Sequence, residues 1–367
     1  MDGLEGDFRP NESWGTQAVK PQPKRLREDR LRKFVADLFA ARGMSSADAA
    51  SVAEVLVWAD LRGGETHGIS RIPHYFGMID KGALKPGAIP VVTRDFGALV
   101  GIDAQGAAGP VAMKMALAEA KLRARALGAG IAVVGRATHS GAIGCYAEAA
   151  AREGFAAIVL AAGPPLMAYH GARVPSLSTA PLAMAVPGGD NGTLMLDMAS
   201  SLISNGRLKQ AKRDGESLPA GWALDAEGRM ATDADKAEVL LPMGGAKGSA
   251  FALLSECMTS LLAGAAILAP MLGPDGKRGH GQNATIILID IARLREPDDY
   301  RSDVSVLSSI IRSLPRAEGA DALRLPGERA ASEAHARRNA GVPIPQKLWD
   351  EITALANKHD VCIPDLE

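Results

Sequence analysis

The stretch GIAVVGRATHSGAIGCYAEAAAREGFAAIVLAAG, residues 130–163, contains the clearest alternation of secondary structure in this chain. It begins and ends with apolar runs of strand length bounded by glycine, which predict two buried β-strands. Between them, alanine-rich residues predict a helix over 141–152. A polar turn that carries His139 joins the first strand to this helix. The stretch therefore predicts a fold in which strands and helices alternate closely.

Outside this stretch, helical patterns occupy both ends of the chain and strands fill its middle. Apolar residues recur at helical spacing over 26–43, over 44–64 and in PQKLWDEITALANKHDV near the end. Further helices are predicted from about Thr66, over 110–127 and from 248 to about 268. The runs LAMAVPGG, TLMLDMASS and NATIILIDIARL predict more strands. The predicted fold class is α+β, with an arm at 1–24 that is disordered or loosely packed.

The composition is that of a globular protein with balanced charge. The 367 residues carry a formal net charge of -1 and are 47% hydrophobic, so nothing favours nucleic acid or an anionic membrane as a partner. Three scattered cysteines do not indicate a disulfide framework, and no apolar run approaches the roughly 20 residues of a membrane span. The first residues also lack the order of a signal peptide. We therefore predict a cytoplasmic protein.

Several widespread catalytic motifs are missing from the sequence. There is no G-x-G-x-x-G after a strand, no phosphate-binding P-loop, no H-E-x-x-H and no G-x-S-x-G. The histidines and cysteines do not cluster at zinc spacing, and no metal site is expected. These absences argue against the usual Rossmann dinucleotide site and against kinase, zinc-enzyme and serine-hydrolase chemistry.

One cluster of polar residues suits a small acid as substrate. In ETHGISR, His67 and Arg71 are four residues apart, so they share one face if a helix starts at Thr66. The guanidinium can bind a carboxylate through two parallel hydrogen bonds, and the imidazole can exchange a proton with a carbonyl or hydroxyl oxygen. The alternative is the polar face of an ordinary helix, with His74 as a plain helix residue one turn further.

Three other positions have both a functional and a structural explanation. His139 and the small residues after it open a helix whose free N–H groups suit an anion, or they form an ordinary turn. Lys247, in GGAKGS before an apolar helix, binds an anion or is simply solvated. Asp197 ends the strand LMLDM, where its carboxylate orients a histidine, bonds a cofactor or caps the next segment. Local sequence does not decide among these.

The order of the motifs resembles one known family. Seven segments follow one another as they do there: DLRGGETHGISR, THSGAIGCYAEAAAREG, STAPLAMAVP, LMLDMASS, LPAGWALDAEG, LPMGGAKGSAFALL and LPGERA. Through them the chain resembles the malate/L-lactate dehydrogenase family of NAD(P)-dependent oxidoreductases, which is unrelated to the Rossmann-type dehydrogenases. The resemblance implies a non-Rossmann, mainly β region at 91–300 that binds cofactor and substrate. It also implies that 301–367 packs on the helices of 25–90, and that two copies form a homodimer with the active site near the subunit boundary.

Residue roles follow from the resemblance, motif by motif. His67, with Thr66 before it, matches the family's Ser-His pair and is the implied proton donor or acceptor, although some members assign the base to the residue that matches His139. Arg71 matches the arginine that binds the substrate carboxylate, and Thr179 lies near substrate and cofactor. The residues that match cofactor contacts are His139, Ser140, Gly141, Ala142, Ile143, Asp197, Met198, Ala199, Lys247, Gly327 and Glu328.

The chain departs from the family pattern at several site positions. Thr66 replaces a serine and adds a methyl group beside the histidine, while keeping the hydroxyl. Ala180 replaces the asparagine of a Thr-Asn-Pro segment, and Ala162 and Gly163 replace an Asn-Ser pair. The change at Ala180 removes an amide that could form a hydrogen bond, and the change at Ala162 and Gly163 removes a side-chain hydroxyl that would reach the cofactor.

The resemblance implies hydride transfer between NAD or NADP and a small 2-oxo or 2-hydroxy acid. One alternative is a reductase of cyclic imino acids, which uses the same hydride and proton chemistry on a C=N bond. Another is a member that binds a ligand without turnover, a possibility raised by the lost polar side chains. Neither the substrate nor the choice between NAD and NADP follows from the sequence.

Overall fold

A computed structural model describes residues 24–189, 192–265 and 281–366, with the expected helical ends and β-rich middle. The helices are α1 (Glu28–Ala40), α2 (Ser46–Leu61), α3 (Ile72–Asp80), α4 (Gly109–Leu127), α5 (Gly144–Arg152), α6 (Asn205–Asp214), α7 (Ala246–Glu256), α8 (Pro297–Ser313), α9 (Glu328–Ala340) and α10 (Gln346–Lys358). The strands are β1 (Arg25–Leu26), β2 (Val91–Phe96), β3 (Leu99–Asp103), β4 (Ala129–Ala137), β5 (Phe155–Ala162), β6 (Met167–Ala168), β7 (Pro175–Leu177), β8 (Leu182–Pro187), β9 (Thr193–Met198), β10 (Ala223–Leu224), β11 (Val239–Leu240), β12 (Gln282–Asp290) and β13 (Val342–Pro343). The predicted arm lies outside the described residues, apart from Lys24.

A seven-stranded sheet carries the site, in the order β2-β3-β4-β12-β5-β8-β9. Strands β3 and β4 run parallel, whereas each of the other neighbouring pairs is antiparallel. The near-continuous alanine, valine and isoleucine of β4, β12 and β5 are typical of strands covered on both faces. Helix α4 packs so closely on this sheet that a Cβ at Gly130 would stand 1.9 Å from the carbonyl oxygen of Ala120. Small residues therefore set the distance between helix and sheet.

The two ends of the chain build a second, helical core. Helices α1, α2 and α3 contribute buried side chains to one apolar cluster together with α9 and α10. Within it, the rings of Phe34 and Trp349 are 5.5 Å apart, and β1 pairs with β13 through Leu26 and Val342. The predicted α+β fold class is therefore confirmed, whereas the boundaries drawn at 24, 90 and 300 stay a prediction.

Two general properties of the chain bear on its surroundings. All three cysteines carry free thiols, and Cys145 among them is buried. Over the described ranges, each helix is too short or too polar to cross a bilayer.

The helix predicted from Thr66 is not continuous, and this prediction was wrong in its local geometry. Two 3-10 turns, Glu65–His67 and Ile69–Arg71, precede α3, and Gly68 separates them in an extended conformation. The reason is the buried carboxylate of Asp60, which accepts a hydrogen bond from the Ile69 N–H at 2.8 Å. A Cβ at residue 68 would lie 1.8 Å from the Asp60 Oδ1, so only glycine fits there.

Two other predicted helices differ at their ends. Helix α5 begins at Gly144 rather than at residue 141, because Gly141 adopts a φ of +72° that a helix cannot contain. Helix α7 begins at Ala246, two residues earlier than predicted, and continues after Glu256 as a π-helical turn, Cys257–Leu261. The predicted end at about 268 was wrong, because the helix ends at Leu261 and is followed by a turn in which Gly264 has a φ of +70°. Residues 266–268 of the predicted helix lie outside the described residues.

We expect the stability of the fold to depend on pH through Asp60. The residue is 3% exposed, and burial raises the pKa of its carboxyl from 3.8 to about 8. The folded state thus retains a proton that the unfolded chain releases, so the free energy of unfolding falls as pH rises from about 4 to 8, by at most about 1.4 kcal/mol per pH unit. Asp60→Asn should remove this part of the pH dependence of the free energy of unfolding. Thermal unfolding of the wild type and the variant from pH 5 to pH 9 measures the difference. Equal pH dependence in the two proteins would contradict the assignment.

Candidate active site

A cleft of about 600 Å³ lies where the two 3-10 turns, the His139 turn, the end of β9 and the start of α6 meet. It holds twelve of the residues expected at the site: Thr66, His67, Arg71, His139, Ser140, Gly141, Ala142, Ile143, Thr179, Asp197, Met198 and Ala199. These residues come from four separate parts of the chain and meet at one concave surface. Such a surface is the usual form of a small-molecule site.

His67 and Thr66 form a hydrogen-bonded pair at the cleft wall. The Thr66 Oγ1 lies 3.1 Å from the His67 Nδ1, which leaves Nε2 as the ring nitrogen without a protein partner among the described residues. Burial, together with the nearby Arg71 charge, lowers the pKa of His67 from 6.5 to about 4. The imidazole is therefore neutral at neutral pH and can act there as a proton acceptor.

Arg71 presents an uncompensated positive charge to the cleft. Its Nε donates to the Thr66 carbonyl oxygen at 2.6 Å, which fixes the side chain. No carboxylate of the described chain forms an ion pair with it, and burial lowers its pKa, although a guanidinium stays charged in proteins. The two terminal nitrogens of this half-buried guanidinium bond to no group of the described residues, which favours an anionic ligand, because burying a charge without a partner is costly.

The methyl group of Thr66 is accommodated by a glycine in α6. A Cβ at Gly206 would stand 2.4 Å from the Thr66 Cβ and 2.7 Å from its Cγ2. The threonine thus packs directly on the backbone of α6, which holds the hydroxyl beside His67. The pocket is tight at this point.

The turn after β4 presents backbone N–H groups to the cleft. The Gly144 N–H donates to the Asp197 carboxylate at 3.0 Å, and the Ser140 N–H donates to the Gln282 side chain at 2.9 Å. Among the described residues no acceptor is bonded to the N–H of Ala142 or Ile143, and the buried Ser140 Oγ also has no hydrogen-bond partner there. Unsatisfied donors at a helix start fit an anionic group such as a diphosphate.

Asp197 lies opposite this turn at the end of β9. Its surroundings raise the pKa of its carboxyl to about 6, mainly through burial, while the Gly144 hydrogen bond acts in the other direction. A Cβ at residue 144 would stand 2.6 Å from the Asp197 Oδ2, so the close contact requires glycine. The carboxylate is thus held against the start of α5 and still borders the cleft.

Three residues expected at the site lie elsewhere. Lys247 is exposed at the start of α7 and does not line the cleft. Gly327 packs against the Met195 backbone, and Glu328 accepts hydrogen bonds from Arg312 and from the Leu325 N–H. The residue after them, Arg329, does line the cleft.

Several residues of the cleft were not identified from the sequence. They are Trp58, Arg62, His74, Ser204, Asn205, Lys209 and Gln282. The spacing of His74 from His67 predicts an ordinary helix residue, yet its side chain lines the cleft. Gln282 carried no local signal, since it reaches the turn only through the pairing of β12 with β4. Within the described ranges no cluster of His, Cys, Asp or Glu could hold a metal ion.

Comparison with known proteins agrees with this geometry. The sequence profile of the malate/L-lactate dehydrogenase family matches residues 26–353. The (2R)-3-sulfolactate dehydrogenase (NADP(+)) of Chromohalobacter salexigens is 31% identical over 324 residues, which are 86% of this chain and 93% of the relative.

Solved structures of dehydrogenases and reductases share the fold of this chain. Malate dehydrogenase from Entamoeba histolytica superposes with a TM-score of 0.88 at 25% identity, over 94% of this chain and 100% of that one. The Δ1-piperideine-2-carboxylate reductase of Pseudomonas syringae pvar. tomato superposes with a TM-score of 0.79 at 27% identity, over 91% and 100% of the two chains. Because the profile covers nearly the whole chain, the protein belongs to the malate/L-lactate dehydrogenase family and is an NAD(P)-dependent oxidoreductase.

Proposed function

We propose that the protein transfers a hydride between NAD(P)H and a small 2-oxo acid, or in reverse from the 2-hydroxy acid. The observation that carries the proposal is the placement of two groups in one cleft, the neutral His67 imidazole and the Arg71 guanidinium, which forms no ion pair with a described carboxylate. A carboxylate beside a reactive carbonyl is the substrate that this pair matches.

In this proposal the nicotinamide supplies or accepts the hydride, and the protein supplies binding, orientation and the proton. Arg71 binds the substrate carboxylate. During reduction, the Nε2 of a protonated His67 donates its proton to the carbonyl oxygen as the carbon gains the hydride, which yields the hydroxyl group. During oxidation, the neutral Nε2 takes the hydroxyl proton. Thr66 holds the ring through Nδ1 in both directions.

The cofactor would lie along the turn formed by His139, Ser140, Gly141, Ala142 and Ile143, with Asp197, Met198 and Ala199 on its other side. Support comes from the unsatisfied N–H groups of Ala142 and Ile143, which suit phosphate oxygens. We retain Thr179 as a substrate contact, since it lines the same cleft. Lys247, Gly327 and Glu328 remain cofactor contacts by resemblance only.

A cyclic imino acid is the second candidate substrate. The structural similarity to a piperideine-2-carboxylate reductase favours it, and the same Arg71 and His67 would bind the carboxylate and protonate the ring nitrogen. The two proposals differ in the atom that receives the proton, oxygen or nitrogen. The cleft geometry is compatible with both.

A substrate panel tests the proposal. Pyruvate, oxaloacetate, 3-sulfopyruvate and the cyclic imines of six-membered and five-membered rings would each be assayed with NADH and with NADPH, by absorbance of the reduced cofactor. Turnover of a 2-oxo acid with a kcat/KM at least tenfold above that of the imines supports the first proposal. The reverse order supports the second, and no turnover with any carboxylate would overturn both.

Thr66 offers a second test within the site. Thr66→Val keeps the shape that packs on Gly206 but removes the hydroxyl beside His67, so kcat should fall about tenfold, the effect of one lost hydrogen bond. Thr66→Ser retains the hydroxyl and is the matched control, with an expected kcat within about twofold of wild type. Steady-state kinetics measure both, and equal activity of the two variants would exclude a role for the hydroxyl.

We also propose that two copies form a homodimer in the cytoplasm. Leu254, Met258, Leu261 and Leu262 form an exposed apolar stripe along α7 and its π-helical turn, with 63, 43, 44 and 65% of their surfaces accessible. A stripe of this kind fits a second copy of the same chain. Light scattering after size exclusion should give twice the chain mass of 38.2 kDa, and Leu254→Glu should give the single mass. A wild-type monomer would contradict the proposal.

A further inference from the structure

The cleft contains two histidines, and either could be taken for the group that exchanges the proton. The rings of His67 and His139 are stacked, with centroids 5.7 Å apart and planes inclined by 20°. Both line the cleft, so position alone does not distinguish them. The two histidines are distinguished by the hydrogen-bond partners of their Nδ1 atoms.

The Nδ1 of His139 faces a group that can only donate. The Gly141 N–H points at it across 3.2 Å. A backbone N–H has no acceptor capacity, so this nitrogen must be the unprotonated one, and the single proton of the neutral ring lies on Nε2. The Tyr75 hydroxyl oxygen lies 3.2 Å from the same nitrogen, but its single proton goes to the His139 carbonyl oxygen. A proton on Nδ1 could bond to this oxygen, but it would then confront the Gly141 N–H, whose direction is fixed by the backbone.

The turn that creates this contact is rigidly determined. Gly141 adopts a φ of +72°, and a Cβ there would stand 2.4 Å from the Val55 Cγ1, so the residue must be glycine. The Tyr75 hydroxyl donates to the carbonyl oxygen of His139 at 2.6 Å, which holds the residue at the other end of the turn. Burial raises the pKa of Tyr75, so the phenol keeps its proton throughout the physiological range.

The partner of His67 imposes no such restriction. A hydroxyl both donates and accepts, so the Thr66 Oγ1 can hydrogen-bond to Nδ1 with or without a ring proton. His67 can therefore take up a proton at Nε2 and release it without losing its partner. This is the behaviour that a general acid and base requires.

The charged surroundings of His139 also oppose protonation. Arg71 and His67 face it from the 3-10 turns, and His74 and Tyr75 face it from α3. The opposite side contributes the uncharged Gln282 of β12, and no described carboxylate faces the ring. Burial, followed by the Arg71 charge and by the repulsion that a protonated His67 or His74 would add, lowers the pKa of His139 well below its usual value.

We infer that His139 is a permanently neutral N–H donor, locked in the Nε2–H tautomer by the Gly141 N–H, and that His67 alone exchanges the proton. The Nε2–H of His139 would then bind an acceptor oxygen in the cleft, either the carbonyl oxygen of the substrate or the carboxamide oxygen of the cofactor. This inference rests on the proposed function for the identity of the ligand, but the tautomer itself does not.

Nitrogen-15 NMR of the full-length protein, labelled at histidine, tests the tautomer without any turnover. Resonances would be assigned with His67→Gln and His139→Gln. We expect His139 to show an unprotonated Nδ1 and a protonated Nε2 from pH 5 to pH 9, with and without NAD(P)+. A protonated Nδ1, or titration of the ring within this range, would overturn the inference whatever the substrate panel shows.

Two substitutions at His139 test the role of the donor. The amide of His139→Gln offers an N–H near the position of Nε2, whereas His139→Leu offers none. Loss of one hydrogen-bond donor to a reacting oxygen lowers kcat about 100-fold. We therefore expect kcat to fall about 100-fold in His139→Leu and about tenfold or less in His139→Gln. If both variants lose activity equally while retaining the wild-type melting temperature, a donor role is excluded.

The same two variants identify the acceptor oxygen. Dissociation constants for NAD(P)+ alone, measured by fluorescence, should rise at least tenfold in His139→Leu if the acceptor belongs to the cofactor. They should stay unchanged, with only the kinetics of the substrate affected, if the acceptor is the substrate carbonyl. Tighter binding of NAD(P)+ to the leucine variant would overturn the inference, because it would mean that His139 opposes the ligand.

Discussion

Arg71→Ala is expected to lower kcat/KM for the best carboxylate substrate about 1000-fold, a loss of about 4 kcal/mol of transition-state binding. The effect is large because the guanidinium is half-buried, is held in place by its bond to the Thr66 carbonyl oxygen, and has no carboxylate partner in the described chain. Removing it leaves the substrate anion in a desolvated cleft without a counter-charge. Steady-state kinetics measure the loss, and circular dichroism checks that the fold is retained.

Two further variants separate geometry from charge. Arg71→Lys preserves the charge but not the planar fork, so its main effect should be a higher KM. Lys209→Ala removes another positive charge from the same cleft, on an exposed side chain. If Lys209→Ala lowered kcat/KM as much as Arg71→Ala, then overall charge rather than a specific carboxylate contact would explain the result.

His67→Gln is expected to lower kcat 100-fold to 1000-fold, about the contribution of a general acid or base. The pH dependence should change as well. With the pKa of His67 at about 4, the ring is neutral over most of the working range. Oxidation, which needs the neutral ring, should show a kcat/KM that is flat above about pH 5 and falls tenfold per unit below pH 4. Reduction, which needs the protonated ring, should fall tenfold per unit as pH rises above 4.

The variant should lose both of these pH-dependent limbs, since glutamine does not titrate. His74→Gln is the matched control, because it removes a second titratable ring from the same cleft, one that we place outside the proton transfer. A retained acid limb in His67→Gln would show that another group exchanges the proton. If His74→Gln lost the acid limb instead, then His74 rather than His67 would be the group that exchanges the proton.

The fold was largely accessible from the sequence because its elements follow local patterns. The strand and helix succession of 130–163 depends on apolar runs and glycine positions that are visible in any short window. Two of the helix boundaries that were predicted wrongly lie at glycines. The helix expected from Thr66 is broken at Gly68 by Asp60, and the one expected from 141 is delayed by the positive φ of Gly141. In both places a contact with another helix overrides the local preference.

Sequence alone determined the α+β class, the family resemblance and the residue types that do the chemistry: an arginine, two histidines and a hydroxyl. These depend on composition and on the order of motifs along the chain. Tertiary structure decided that Arg71 has no carboxylate partner in the described chain, that Lys247 lies outside the cleft, and that the two histidines differ in their Nδ1 partners. The physical reason is distance along the chain. The Tyr75 hydroxyl is bonded to a residue 64 positions away and the Ser140 N–H to one 142 positions away, and such bonds arise only when the helical ends and the sheet have packed together.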